Sequence, residues 1–247
     1  MSQRVIELNH VSVYQPCGAV TRLTKSNYQE RGELVLSDVS LSVGEGEMVY
    51  FIGRVGSGKS SLLKSLYAEM PLFEGEAMVA GFDLRTIKSS KIPMLRRRLG
   101  IVFQDYRLLT DRNVFENLRF MMRATGWKSD GEMRQRVDEL LTVTGLQHKA
   151  YKMPYELSGG QQQKLAIARA LINRPSVLLA DEPTGNLDPT AADEVMELFH
   201  SIVEGGCSVV MSTHNIANIG QYPSRTVRFA GGKAEEIDIQ AILAMNE

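Results

Sequence analysis

From Gly53 the chain reads Gly53-Arg54-Val55-Gly56-Ser57-Gly58-Lys59-Ser60, a match to G-x-x-x-x-G-K-[ST]. Glycines at these spacings let successive backbone N–H groups wrap phosphate oxygens at the positive end of a helix. The context fits: residues 48–52 are a continuous apolar run like a buried strand, and residues 61–70 are helix-compatible. Lys59 is expected to meet the β- and γ-phosphates of a nucleotide and Ser60 to ligate Mg²⁺, with Ser61 opening the helix. Arg54 and Val55 are bulkier than the small residues frequent in such loops, which changes loop detail but removes no required group.

A second feature supplies acid. Asp181-Glu182 ends the apolar run Val177-Leu178-Leu179-Ala180, so both carboxylates emerge at the carboxyl end of a strand, where ligands sit in open α/β sheets. Asp181 is expected to orient the magnesium ion through its water shell, and Glu182 to act as base toward an attacking water.

Between these two lies Leu157-Ser158-Gly159-Gly160-Gln161, a second Gly-rich start to a helix and so a second anion site. With this ordered set, residues 5–233 resemble an ATP-binding cassette (ABC) ATPase. The resemblance implies an α/β P-loop NTPase nucleotide-binding domain with an antiparallel β lobe and an inserted α-helical subdomain. It implies that Ser158, Gly159, Gly160 and Gln161 bind the γ-phosphate held by the opposite subunit, so that ATP drives homodimerisation. Asp188, in Gly185-Asn186-Leu187-Asp188, would lie on the loop that crosses this interface and helps place Glu182. Gln104, in Ile101-Val102-Phe103-Gln104-Asp105, stands at the glutamine loop that touches Mg²⁺ and the water. His214, in Ser212-Thr213-His214, stands at the switch histidine beside the γ-phosphate, and Tyr14 where an aromatic stacks on adenine.

The elements that must carry these groups can be read from patterning. Residues 5–14 and 36–43 alternate like half-buried strands and suggest the antiparallel lobe. Residues 177–180 and 207–212 are apolar enough for buried strands, and residues 191–203 form a helix, so strands alternate with helices around a mainly parallel sheet. Residues 84–169 read as mostly helical and are expected to hold the inserted lobe. The polar stretch 15–33 reads as a loop or hairpin extension, longer than this link usually is in the family. After Gly231-Gly232 a turn and a short helix are expected, with 234–247 as a tail of a single domain spanning 1–247.

At 247 residues, 43% hydrophobic and 23% charged, the composition is that of an ordinary globular chain. With 28 basic against 29 acidic residues, no nucleic-acid partner is expected. Cys17 and Cys207 make neither a disulfide framework nor a paired metal-ligand spacing, which favours a reducing compartment. No apolar run approaches the ~20 residues that span a bilayer, so a cytoplasmic protein attached to the membrane through a partner is expected.

Within ABC subunits, residues 100–117, GIVFQDYRLLTDRNVFEN, are similar to the FtsE family of cell-division ATPases. Residues 179–188, LADEPTGNLD, are shared with the wider group that includes lipoprotein-release and macrolide-export ATPases. The first resemblance implies an integral membrane partner of the FtsX type, and control of cell-wall hydrolysis rather than solute transport. A lipoprotein-release or export ATPase and a nucleotide-gated scaffold with negligible turnover are the alternatives. Tyr106, Leu108, Leu109, Phe115 and Phe120 are expected to line or support a groove for a partner helix, or to be lobe core.

Overall fold

The computed structural model describes residues 4–18, 24, 26–214 and 216–238. In chain order the first half holds β1 (Arg4–Pro16), α1 (Tyr28–Arg31), β2 (Gly32–Gly44), β3 (Met48–Ile52), α2 (Lys59–Leu66), β4 (Glu74–Val79), β5 (Phe82–Asp83), α3 (Ile92–Arg98) and β6 (Leu99–Val102). The second half holds α4 (Val114–Ala124), α5 (Asp130–Val143), α6 (Gly159–Ala170), β7 (Val177–Asp181), α7 (Pro189–Glu204), β8 (Ser208–Thr213), α8 (Ile216–Gln221), β9 (Arg225–Ala230) and β10 (Lys233–Ile237).

Two sheets result. An antiparallel one runs β2-β1-β4-β5, and a six-stranded one runs β10-β9-β3-β8-β7-β6. Within the second, β9, β3, β8, β7 and β6 are parallel, and only the edge strand β10 is antiparallel to its neighbour. β3 explains why this sheet is buried on both faces. All five of its residues are buried, and the two-residue period divides them between two cores. Val49 and Phe51 join Leu62 and Leu66 of α2 and Val11 and Val13 of β1, sealing the antiparallel sheet onto the core. Met48, Tyr50 and Ile52 face the other way, into the cluster containing Leu165, Phe199, Leu118 and Val137. The inserted helices α4 and α5 pack on α6, so the helical lobe is joined to the core through the helix that follows the Ser158 motif.

Side-chain caps start these helices where the sequence supplies them. Asn113 accepts from the Glu116 amide at 2.8 Å and Asp188 from the Ala191 amide at 3.0 Å, with Pro189 at the first helical position of α7.

Two expectations need correction. The stretch 84–169 is not all inserted lobe: Leu99–Val102 forms β6, which pairs with β7 in the main sheet. Four residues between helical patterns are too short for a periodicity to register. After Gly231 and Gly232 comes strand β10 rather than a short helix, because those two left-handed glycines close a hairpin back onto β9. The rest of the expected tail, residues 239–247, lies outside the described residues. The stretch 15–33, expected as a loop or hairpin extension, extends the hairpin, with Gln15 opposite Glu33 and Pro16 opposite Gly32, and α1 forms one turn before β2. Residues 19–23 and 25 of that stretch are likewise outside the described set.

Candidate active site

The loop between β3 and α2 is shaped by contacts that only glycine allows. At Gly53, with φ 150°, a Cβ would stand 2.5 Å from the Phe229 carbonyl oxygen and 2.7 Å from Ser57 Oγ. At Gly58, with φ 100°, it would overlap Leu36 Cγ at 2.7 Å. α2 therefore begins on Gly58 with no side-chain cap, and its first amides point into the loop. Lys59 is 5% exposed, and its Nζ donates to Gly53 O at 2.8 Å and Arg54 O at 3.2 Å. The buried Ser57 Oγ has no hydrogen-bond partner. An uncapped helix start, a buried ammonium bonded to two carbonyls, and an orphaned hydroxyl would all be satisfied by one phosphate chain. The residues present fit the nucleotide that the motif implies.

The acidic side closes over this loop. Asp181, at the end of β7, accepts from Ser60 Oγ at 2.9 Å and from Ser212 Oγ at 2.6 Å. Glu182 adopts φ 50°, a conformation disfavoured for a residue with a Cβ and sustained only by its surroundings. Its amide donates to Ser212 Oγ at 3.0 Å, its Oε2 lies 2.5 Å from His214 Nδ1, and its Oε1 lies 4.0 Å from Lys59 Nζ. Ser212, to which no motif in the sequence points, contacts both carboxylate residues. The signal lies in the strand register, because β7 pairs with β8 in parallel and sets Asp181 opposite Ser212.

The cavity between these walls measures about 490 Å³. Val55, Gly56, Ser57, Gly58, Lys59, Ser60, Ser61, Gln104, Glu182 and His214 line it, joined by Gln15, Glu33, Leu34 and Val35 of the β1–β2 hairpin. Among the described residues no group of three or more His, Cys, Asp or Glu could hold a metal. The oxygen pair Ser60 and Asp181 suits a hard cation that completes its shell with water and phosphate.

Tyr14 is placed elsewhere, which corrects its expected stacking position. β1 carries a register shift between Val13 and Tyr14, and the residue that reaches the cavity is Gln15, whose Nε2 lies 2.5 Å from Ser61 Oγ. The Tyr14 ring meets Tyr28 edge-on at 5.0 Å and its hydroxyl donates to Glu74 at 3.0 Å. Burial, then Glu74, pushes its pKa up to about 12.

Ser158, Gly159, Gly160 and Gln161 also lie outside the residues lining this cavity. They start α6 with a reciprocal box: Ser158 Oγ accepts from the Gln161 amide at 3.3 Å, and Gln161 Oε1 accepts from the Ser158 amide at 3.2 Å. The motif sits against the Asp188 loop, since a Cβ on Gly160 would stand 2.9 Å from Ala191 Cβ and one on Gly159 3.5 Å from Leu187. Asp188 itself caps α7. Gln104 bridges two cavities. Besides the first, it lines a neighbouring one of about 320 Å³ with Leu63, Tyr67, Phe103 and Arg107. Of the expected groove residues, Leu108 and Phe115 pack against the core, while Phe120 is exposed beneath the Arg112 guanidinium at 4.1 Å.

Residues 36–185 match the family described as ABC transporter. The chain belongs to the ABC family of ATPases. Its relatives include the cell division ATP-binding protein FtsE of Streptococcus pneumoniae, 44% identical over 83% of this chain and 88% of that protein. FtsE of Bacillus subtilis is 41% identical over 81% of this chain and 88% of the relative, and that of Escherichia coli K12 is 39% identical over 81% and 90%. Among solved structures, an ATP-binding cassette dimer in a post-hydrolysis state bound to ADP and Pi superposes with TM-score 0.79 at 31% identity, covering 95% of this chain and 98% of its own. The Clostridium perfringens subunit cbiO1 of the ABC transporter complex cbiONQ gives TM-score 0.84 at 25% identity, covering 99% and 92%. An ABC ATPase with FtsE relatives binds and hydrolyses ATP.

Proposed function

We propose that this ATPase is the nucleotide-driven subunit of an FtsE-type cell-division complex, working as an ATP-dependent homodimer bound to an integral membrane partner of the FtsX type. The observation that carries the dimer is the separation of parts. One chain gathers Lys59, Ser60, Glu182 and His214 around its cavity, with Asp181 bonded to Ser60, and leaves Ser158 to Gln161 outside it. Two apolar side chains of the cavity lining stand uncovered, Val55 91% exposed and Leu34 50% exposed. A second copy bringing its Ser158 motif to this rim would cover that surface and complete the phosphate site.

Ser60 and Asp181 would hold Mg²⁺, with Gln104 reaching it from the opposite wall. When bound, the ion polarises the terminal phosphate and offsets its charge. Lys59 neutralises the phosphate oxygens, and Glu182 takes the proton of the attacking water. His214, already against the Glu182 carboxylate, fixes its direction. Gln104 then gives the reaction a mechanical outlet, because it also lines the cavity beside α2, where a short helix of the partner would dock. Among the described residues no helix is long and apolar enough to cross a membrane, which supports a cytoplasmic subunit held at the inner membrane face by its partner.

The test is purification of the Glu182→Gln chain from membranes in ATP and Mg²⁺, with the co-purifying integral protein identified by mass spectrometry. An FtsX-like protein with few helices is the expected companion. Recovery of a lipoprotein-release or export permease in its place would overturn the cell-division reading while leaving the ATPase site intact.

A further inference from the structure

Just after Gln104 the backbone takes a costly path. Tyr106 and Arg107 are consecutive and both left-handed, with φ 56° and 49°. Side-chain-bearing residues hold that conformation only when their surroundings enforce it. The enforcing group comes from the last turn of α6, where Arg169 points its guanidinium back at this loop. Nη2 donates to Tyr106 O at 2.7 Å, and Nη1 donates to Arg107 O. A planar fork with fixed donors suits two adjacent carbonyls, whereas a lysine ammonium would grip them as a single point. Arg169 is partly buried, and burial, followed by the charge of Arg107, lowers its pKa, so a cation is being kept in an unfavourable place.

The rest of the loop folds around the same point. The Arg107 guanidinium lies 4.0 Å from the Phe103 ring centre, and its Nε is 3.2 Å from Asp105 Oδ1, closing the segment on either side of Gln104. Asn186, next to the Ser158 motif's neighbour Leu187, donates to Gln104 O at 3.2 Å. Buried Asn117 ties down the far end, accepting from the Leu109 amide and donating to Leu109 O and Arg112 O. Arg169 bonds this loop to the far end of the helix that Ser158 begins, roughly 15 Å along rigid α6 at 1.5 Å per residue, while the Tyr106 hydroxyl lies beside Gly159 at its start.

We infer that Arg169 is a positioning residue for ATP hydrolysis: its fork on the Tyr106 and Arg107 carbonyls sets Gln104 toward the cavity and ties that setting to the position of the Ser158 motif. Movement of α6 when a second copy engages Ser158 would then be felt at Gln104 through this fork. The inference rests on the proposed role of Gln104 at the magnesium ion.

The test uses the full-length chain with Arg169→Lys, which keeps charge and stem, and Arg169→Gln, which keeps a donor without charge. Without nucleotide, hydrogen exchange of amides 105–109 is expected to speed by at least tenfold in both variants while the unfolding temperature stays within a few degrees. With Mg²⁺ and ATP, kcat is expected to fall at least tenfold while KM and the affinity for a fluorescent ATP analogue change less than threefold. Adding Arg169→Lys to Gln104→Ala should cause no further loss. Unchanged loop exchange, a loss confined to KM, or multiplicative loss in the double variant would each overturn the inference. Full activity of Gln104→Ala alone would remove the glutamine's assigned role and the catalytic half of the inference, while the exchange measurement would still decide whether Arg169 holds the loop.

Discussion

The chain starts two helices with Gly-rich turns, α2 after Gly58 and α6 after Ser158, and they are finished in opposite ways. α2 has no side-chain cap, encloses a buried Lys59 that donates to two carbonyls with the Glu182 carboxylate 4.0 Å away, and leaves Ser57 Oγ without a partner. α6 satisfies its own amides through the Ser158–Gln161 box and presents Ser158 to solvent. Both present the positive end of a helix dipole. The first is incomplete without phosphate, and the second is complete without it. Polar groups left unpaired inside a protein weaken it until a ligand arrives, so the first start stores the drive for nucleotide binding. The second can hold its shape in the free chain and wait for a surface.

The largest test of this division concerns the chemistry that gathers only at the first start. Glu182→Gln keeps the hydrogen-bonding shape but removes the base, and kcat in steady-state phosphate release should fall by about 10²-fold or more, ~3 kcal/mol of barrier. ATP affinity, read by fluorescence titration, should change little. Turnover equal to that of the unmodified chain would break the assignment.

Lys59→Ala comes next, because it deletes the charged group aimed at the phosphates. Charged hydrogen bonds are worth about 1.5–3 kcal/mol, so ATP affinity should drop by roughly 10- to 150-fold. Ser158→Arg is the matching change at the second start. Its long side chain would stand over the exposed anion face of α6 while leaving this chain's own cavity alone. ATP should still bind within about twofold, a range set by the absence of any contact with the cavity. ATP-dependent dimers should be lost in light scattering. Normal dimers from this variant would mean that the second start faces no phosphate.

What was legible in the sequence follows the same line. The placement of Lys59, Ser60, Asp181 and Glu182 could be read directly because it depends on neighbours in the chain: a strand end, a turn and a helix start. Ser212 could not, since it reaches Asp181 and Glu182 only through the parallel pairing of β7 with β8. Strand β6 was hidden because four apolar residues sit between helical patterns, and the main sheet supplies the only reason for them to be extended. Tyr14 misled for a local reason. The register shift after Val13 is set by how β1 meets β2, and it delivers Gln15 to the cavity while Tyr14 turns to Glu74 and Tyr28.

The smaller tests separate the two starts by stability. Ser158→Ala removes a working cap and should cost about 1 kcal/mol in denaturant unfolding of the nucleotide-free chain, the usual penalty for an N-cap serine. Ser57→Ala, at the other Gly-rich start, should cost nothing there and can add a few tenths of a kcal/mol, because the hydroxyl it deletes is buried and unpaired. With ATP present the sign should reverse, the lost hydrogen bond weakening nucleotide affinity by about 2- to 10-fold, the range for about 0.5–1.5 kcal/mol. Unfolding curves of both variants with and without ATP and Mg²⁺ would show it. If Ser57→Ala destabilised the free chain as Ser158→Ala does, the hydroxyl would have a partner of its own, and the phosphate loop would be as self-sufficient as the start of α6.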